Sequence, residues 1–137
     1  MLEAIQSHIR LEEQDRLKVQ AVTDPVTGLT NHRYFQQTLK DYFAENFHDL
    51  NPLSVVMIDV DHFKSFNDRH GHPEGDRLLR AIADRLQLLC SKHGTVSRYG
   101  GEEFAIILPH SSPENSQQLA ELIRNDINAN PFAGPHG

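Results

Sequence analysis

Two short stretches of this sequence carry residues whose types and spacing could do chemistry. The first is Asp59-Val60-Asp61, at the end of the apolar run Leu53 to Val60 (LSVVMIDV). In a strand, period-two alternation sends both carboxylates to one face. Paired like charges in that setting carry repulsion and desolvation that something must offset. A divalent cation does so, because carboxylate oxygens with a backbone carbonyl suit Mg²⁺. Two aspartates capping a strand as it reaches solvent give the same pattern. The second stretch is Tyr99-Gly100-Gly101-Glu102-Glu103-Phe104. Consecutive acids after a Gly-Gly turn sit where backbone can approach a ligand closely, since glycine has no Cβ. A generic turn with acidic decoration reads the same way. If strand and hairpin are neighbours in a sheet, Asp59 and Glu102 pool into one cation site of the kind used in metal-assisted phosphoryl transfer.

The elements that must position these residues follow from periodicity. Leu2, Ile5 and Ile9, extended by Leu17 and Ala21, give residues 1–22 a helical stripe, interrupted at Glu13. This is either a solvated lead-in or a dimerising stalk. Asp24-Pro25 and Thr27-Gly28 mark a turn. Asn31 is an expected N-cap for a helix with Tyr34, Phe35, Leu39, Tyr42 and Phe43 on its apolar face, ended by Asn51-Pro52. The β-branched run Leu53 to Val60 suits a strand covered on both faces. A loop with Gly71, His72, Pro73 and Gly75 then leads to a helix burying Leu78, Leu79, Ile82, Leu86 and Leu89. Thr95 to Tyr99 and Glu103 to Leu108 predict a hairpin around Gly100-Gly101. Ser112-Pro113-Glu114 opens a last helix with Leu119, Leu122, Ile123 and Ile127 inside. Alternating helices and strands put the chain in the α/β (α+β) class, with a central mixed sheet flanked by helices.

Composition narrows the partners. A chain of 137 residues buries one core, and 38% hydrophobic with 23% charged residues is an ordinary globular mixture. No apolar run approaches the roughly 20 residues that span a bilayer, and Glu3, Glu12, Glu13 and Asp15 break any secretory pattern. No direct membrane contact is expected, and a cytoplasmic location is. A net charge of −6 argues against a broad grip on nucleic acid. Cys90 stands alone, as suits a reducing compartment, and reads as a small buried hydrophobe. Nine histidines raise the question of zinc, but neither a Cys pair nor His-x-x-x-His spacing supports it.

The motifs, taken together, resemble the GGDEF family of diguanylate cyclases. Gly100-Gly101-Glu102-Glu103-Phe104 is the family's naming motif in its GGEEF form. DPVTGLTNHRYF (Asp24 to Phe35) is similar to its opening segment, MIDVDHFKSFND (Met57 to Asp68) to its metal and guanine segment, and GHPEGD (Gly71 to Asp76) follows at the expected spacing. The similarity runs in order from about Asp24 to Ile127 and divides the chain into a helix over 1–22 and a GGDEF domain over 23–137.

The resemblance implies a nucleotidyl-cyclase, polymerase-palm-like fold and the condensation of two GTP into cyclic di-GMP. Asp59, the Val60 carbonyl, Glu102 and Glu103 would hold Mg²⁺ or Mn²⁺, two ions per site, with Glu102 also the proton acceptor. Lys64 would contact phosphates, cradled by backbone amides around His62 and Phe63 and approached by Gly100 and Gly101. Asn67 and Asp76 would read guanine, with His72 a further substrate contact. Read as lone residues, Asn67 also fits a helix or turn cap, Asp76 a helix N-terminal charge and Lys64 a surface lysine, but in this context the functional reading is preferred for all three. The resemblance also implies a homodimer, each copy holding one GTP, and an upstream sensory or receiver domain in a bacterial signalling protein. The alternative is a degenerate module that binds GTP as a regulatory domain without turnover.

Two departures from the family pattern stand out. An Arg-x-x-Asp product-inhibition site precedes the hairpin in many relatives; here Ser91-Lys92-His93-Gly94 occupies those positions, and Leu122 stands where some relatives supply a further arginine. The family's final strands and last helix have no counterpart before Gly137. The domain is therefore expected to be C-terminally shortened, with an open sheet edge and exposed apolar surface, which leaves the fragment's own turnover open.

Overall fold

The computed structural model describes residues 1–45 and 52–132. Within these residues five helices and three strands follow one another as α1 (Leu2–Val22), α2 (His32–Glu45), β1 (Leu53–Asp59), α3 (Phe63–His70), α4 (His72–Cys90), β2 (Thr95–Arg98), β3 (Glu103–Pro109) and α5 (Pro113–Ala129). The strands form one antiparallel sheet in the order β1-β3-β2. Among the described residues the parallel pairing is a single bridge between Thr30 and Ser97.

β3 is central and almost wholly buried, which its unbroken run Phe104 to Leu108 requires. Alternation divides that run between two faces. Phe104, Ile106 and Leu108, with Val96 of β2, pack against Leu79, Ile82, Ala83, Leu86 and Cys90 of α4 and Ile123 of α5. Ala105 and Ile107 turn the other way and meet Phe35 and Leu39 of α2. The expected covering of β1 on both faces is not found: Val55 and Met57 are 38% and 49% exposed. β1 is an edge strand, and α2 lies over the β2–β3 half of the sheet, so nothing described covers that face of β1.

Three further expectations are corrected. Phe43 and Leu122, expected to face inward, are exposed. The segment expected as a loop around Gly71 to Gly75 is a helix–helix corner. α3 precedes it, Gly71 turns the chain at φ 90°, and α4 begins at His72 with Pro73 in its first turn. Proline fits there because its missing N–H would have no helical partner anyway. β1 ends at Asp59, leaving Asp61 in the following turn rather than on the strand. The expected break at Asn51-Pro52 begins outside the described residues.

The N-terminal helix forms as expected, with Leu2, Ile5, Ile9 and Leu17 all exposed. Its end is tied to the start of α2, where the Asn31 backbone N–H donates to the Val22 carbonyl (2.9 Å) and its side chain to Ala21 (2.9 Å). The same side chain caps α2 by accepting from the Tyr34 N–H (2.9 Å), and Ser112 caps α5 by accepting from the Asn115 N–H (3.2 Å).

Candidate active site

The two acidic stretches meet at one end of the sheet. In the β1–β3 register Asp59 stands directly opposite Glu103, and beyond them the Val60 N–H donates to the Glu102 carbonyl (3.0 Å). That bond puts Asp59 and Glu103 at a position without direct ladder bonds, where opposed Cβ atoms come within about 4.5–5.5 Å of one another. Like charges opposed in this way destabilise a sheet unless a cation lies between or beside them.

The hairpin is built around Glu103. Its carbonyl accepts from both the Tyr99 N–H (2.8 Å) and the Gly100 N–H (3.1 Å). Neither Gly100 nor Gly101 has a positive φ, so the turn is not the primed type that Gly-Gly suggests. A Cβ at Gly100 would lie 2.6 Å from Glu103 Oε1, so a side chain there would have to displace that flexible carboxylate.

Arg98 and Asp24 brace this turn. The Arg98 Nε donates to the Gly100 carbonyl (3.1 Å) and a terminal nitrogen to the Gly101 carbonyl (2.8 Å). The other terminal nitrogen reaches both carboxylate oxygens of Asp24 at 3.2 Å. Asp24 also accepts from the Thr27 N–H and hydroxyl, each at 2.8 Å. Burial disfavours its ionised form, but the Thr27 bonds and the Arg98 guanidinium outweigh that and hold its carboxyl below the usual carboxylate range. On sequence alone Asp24 is a turn residue and Arg98 unremarked. Their signal, a cation two residues before Gly-Gly and an acid far upstream, becomes visible only once the chain is folded.

After β1 the chain turns through Asp61 and His62, the latter left-handed at φ 59°, directly into the N-terminus of α3. The amides from His62 onward thus begin next to the carboxylates, as a phosphate cradle requires. Phe63 is anchored in the core, whereas Lys64 is exposed in the first turn of α3. Eight residues on one helix place the far end of α3 about 12 Å away.

There the α3–α4 corner gathers the other expected residues. Asn67 is half-buried; its Oδ1 is buried and has no hydrogen-bond partner, so it caps nothing. It lies against Gly75, where a Cβ would overlap it. His72 and Asp76 are exposed in the first turns of α4. The structure therefore groups Asp59, Val60, Glu102 and Glu103 at one end, His62, Phe63 and Lys64 beside them, and Asn67, His72 and Asp76 at the far end of α3.

Among the described residues no three His, Cys, Asp or Glu side chains converge as a ready-made metal cage. Mg²⁺ does not need one, since it keeps several waters and binds through one or two carboxylates plus substrate phosphates. The opposed Asp59 and Glu103 carboxylates, with Glu102 and the Val60 carbonyl alongside, supply the hard oxygen donors that fit it. Cys90 is buried, and burial pushes its thiol up to about 11, which makes it unreactive.

An antiparallel sheet backed by helices, with a GGEEF hairpin opposing an aspartate on the neighbouring strand, defines a cyclase-type α/β domain. The chain belongs to the GGDEF family: residues 21–135 match the family described as "Diguanylate cyclase, GGDEF domain". It is 45% identical to the diguanylate cyclase VdcA of Vibrio cholerae over 119 residues, 86% of this chain and 34% of that protein. It is 39% identical to the diguanylate cyclase DgcP of Pseudomonas aeruginosa, covering 91% of this chain but 18% of DgcP. The chain thus spans 34% and 18% of the length of these two relatives. Among solved structures, the coiled coil and GGDEF domain of DgcB from Caulobacter crescentus in complex with c-di-GMP superposes with a TM-score of 0.89 at 28% identity, over 98% of this chain and 71% of that one. The active GGEEF domain of a diguanylate cyclase from Vibrio cholerae gives 0.72 at 37% identity, over 80% and 70%.

Proposed function

We propose that this chain carries the catalytic domain of a diguanylate cyclase that condenses two GTP into cyclic di-GMP and two pyrophosphates. The observation that carries this reading is the register that sets Asp59 against Glu103 and bonds Val60 to Glu102. One GTP would lie along α3, its guanine at Asn67 and Asp76 and its phosphates at Lys64 and the amides of His62 and Phe63. Asn67 has a side-chain oxygen that no protein donor uses, and turning it out of its contact with Gly75 would let it accept from guanine's N–H groups. His72, exposed at the same corner, would contact the substrate from outside.

Mg²⁺ or Mn²⁺ bound by Asp59, the Val60 carbonyl, Glu102 and Glu103 would supply positive charge against the phosphates. The 3′-oxygen of one GTP forms a bond to the α-phosphorus of the other, and the bond from that phosphorus to the pyrophosphate oxygen breaks. Glu102 accepts the hydroxyl proton, and Lys64 offsets charge on the phosphate oxygens. A second, reciprocal attack closes the ring. The protein's part is positioning and charge neutralisation.

Because each domain holds one GTP, two copies must face each other. The exposed apolar stripe of α1 at Leu2, Ile5 and Ile9 supports its use as the pairing helix, and the structure it superposes on in DgcB includes a coiled coil. The limited share of the relatives that is matched supports a longer parent protein, for which we propose an upstream sensory or receiver domain and a cytoplasmic catalytic part. No described helix is long and apolar enough to cross a membrane.

Incubation with GTP and Mg²⁺, followed by mass analysis, tests the proposal. Cyclic di-GMP is expected. Metal-dependent GTP binding without product would favour the regulatory reading, and no metal-dependent binding at all would overturn both.

A further inference from the structure

One of the nine histidines is held in a way that its surroundings explain only in part. His32 opens α2, and its Nδ1 lies 2.6 Å from the carbonyl oxygen of Tyr99. A carbonyl can only accept, so Nδ1 must carry the proton. The imidazole also lies on the Tyr99 ring, centroids 4.4 Å apart and tilted by 38°, while Phe35 meets the same ring edge-on at 5.4 Å. Tyr99 is the residue immediately before Gly100, and its own N–H is spent on the Glu103 carbonyl. Both polar groups of its backbone are therefore fixed, one by the hairpin and one by His32. The hydrogen bond adds a direction, which decides where the following peptide, and with it Glu102 and Glu103, points.

We propose that His32 is a positioning residue for the acidic hairpin: by donating from Nδ1 to the Tyr99 carbonyl it sets the orientation of the Gly100-to-Glu103 turn. The part of this inference that concerns catalysis rests on the function proposed above. The hairpin carries the carboxylates, whereas the base-reading corner lies at the far end of α3. Loss of the bond therefore acts on turnover and metal use rather than on the grip on the base.

Two measurements on the chain test it. Nitrogen-detected NMR should find His32 Nδ1 protonated, and the amide signals of Gly100 to Glu103 should shift in His32→Ala and return in His32→Asn. Asparagine places an N–H donor at the same distance from the backbone as Nδ1; His32→Gln mimics Nε2 and should not restore them. In turnover assays His32→Ala should lower kcat by about tenfold, the factor a single net hydrogen bond carries, and raise the Mg²⁺ midpoint, with KM for GTP changed by less than about twofold. His32→Asn should recover most of the loss at equal thermal stability. An unprotonated Nδ1, or hairpin amides unmoved in His32→Ala, overturns the proposal, as does a KM rise with kcat intact. A wild-type chain that makes no product refutes the functional reading instead, and the NMR comparison still decides the role of His32.

Discussion

Asn67 places its side-chain oxygen against the backbone of Gly75, so closely that a Cβ at residue 75 would overlap it. The contact joins α3 to α4 and leaves Asn67 Oδ1 buried without a donor. Gly75→Ala must therefore push Asn67 aside. The expected cost is about 1–3 kcal/mol of stability from overpacking, together with a rise in KM for GTP of tenfold or more where the base-reading assignment holds. Asn67→Ala should remove most of the stability penalty of Gly75→Ala, because the two share one contact. Urea unfolding of the double-mutant cycle checks this. The same corner should reject ATP by ~10⁴-fold, as sites built on a base's hydrogen bonds do. Equal turnover of ATP and GTP would reduce Asn67 and Asp76 to structural roles.

The opposed Asp59 and Glu103 make a prediction with opposite signs in the presence and absence of metal. Without divalent ions, Asp59→Asn removes a like-charge opposition and should leave stability unchanged or raised by about 0.2–1 kcal/mol. With Mg²⁺ and GTP, the thermal shift that the wild type gains should be lost. Asp59→Asn and Glu102→Gln should each lower turnover by roughly 10²-fold or more while folding survives. Thermal melts with and without Mg²⁺, beside turnover of the same samples, separate these effects. Near wild-type turnover by Glu102→Gln would sink the assignment.

Asp24 should make the fold acid-sensitive through its bonds from Thr27 and its contact with Arg98. Its carboxyl is held below the ordinary value in the folded chain. The stability it contributes is therefore complete above the unfolded carboxyl value, about 4, and is lost as pH falls through the lower folded value. Asp24→Asn should cost about 1–3 kcal/mol at pH 7, and the gap to wild type should narrow at pH about 3. Urea titrations at the two pH values test the sign. A gap that widens in acid would show that the ionised carboxylate, held by Thr27 and Arg98, is not what Asp24 contributes.

Product binding outside the active site should be weak. Arginine holds phosphates and guanine edges through a planar fork that neither serine nor a lysine reproduces. Ser91 and Lys92 are exposed in the turn after α4, and Leu122 is exposed on α5. Gly94 adds a steric reason: a Cβ there would run into the backbone carbonyl of Ile107 on the central strand. Gly94→Asp with Ser91→Arg should therefore destabilise the domain rather than install a site. A cavity of about 530 Å³ does open near this region, lined by residues such as His93, His110, Asn115 and Leu122, with no arginine in its wall. Calorimetry with cyclic di-GMP is the measurement. Micromolar affinity that survives both Lys92→Ala and Asn67→Ala would contradict this expectation.

What the sequence determined by itself was whatever short-range chemistry decides. The stripe of α1, the caps at Asn31 and Ser112, the hairpin between β2 and β3, and the acidic types at 59, 102 and 103 are legible because each depends on neighbours within a turn or two. α3 was missed because eight residues fall short of the window that shows a helical period, and Gly71 and Pro73 around the corner read as loop. The tertiary structure alone decided which face of β1 is covered, because that depends on where α2 lands on the sheet. It alone brought Asp24 to Arg98 and His32 to Tyr99, pairs 74 and 67 residues apart. No periodicity encodes such a pairing. It exists because burial of Phe35 against Ala105 and Ile107 sets α2 and the turn before it beside the acidic hairpin, and the polar groups carried there bond to what they meet.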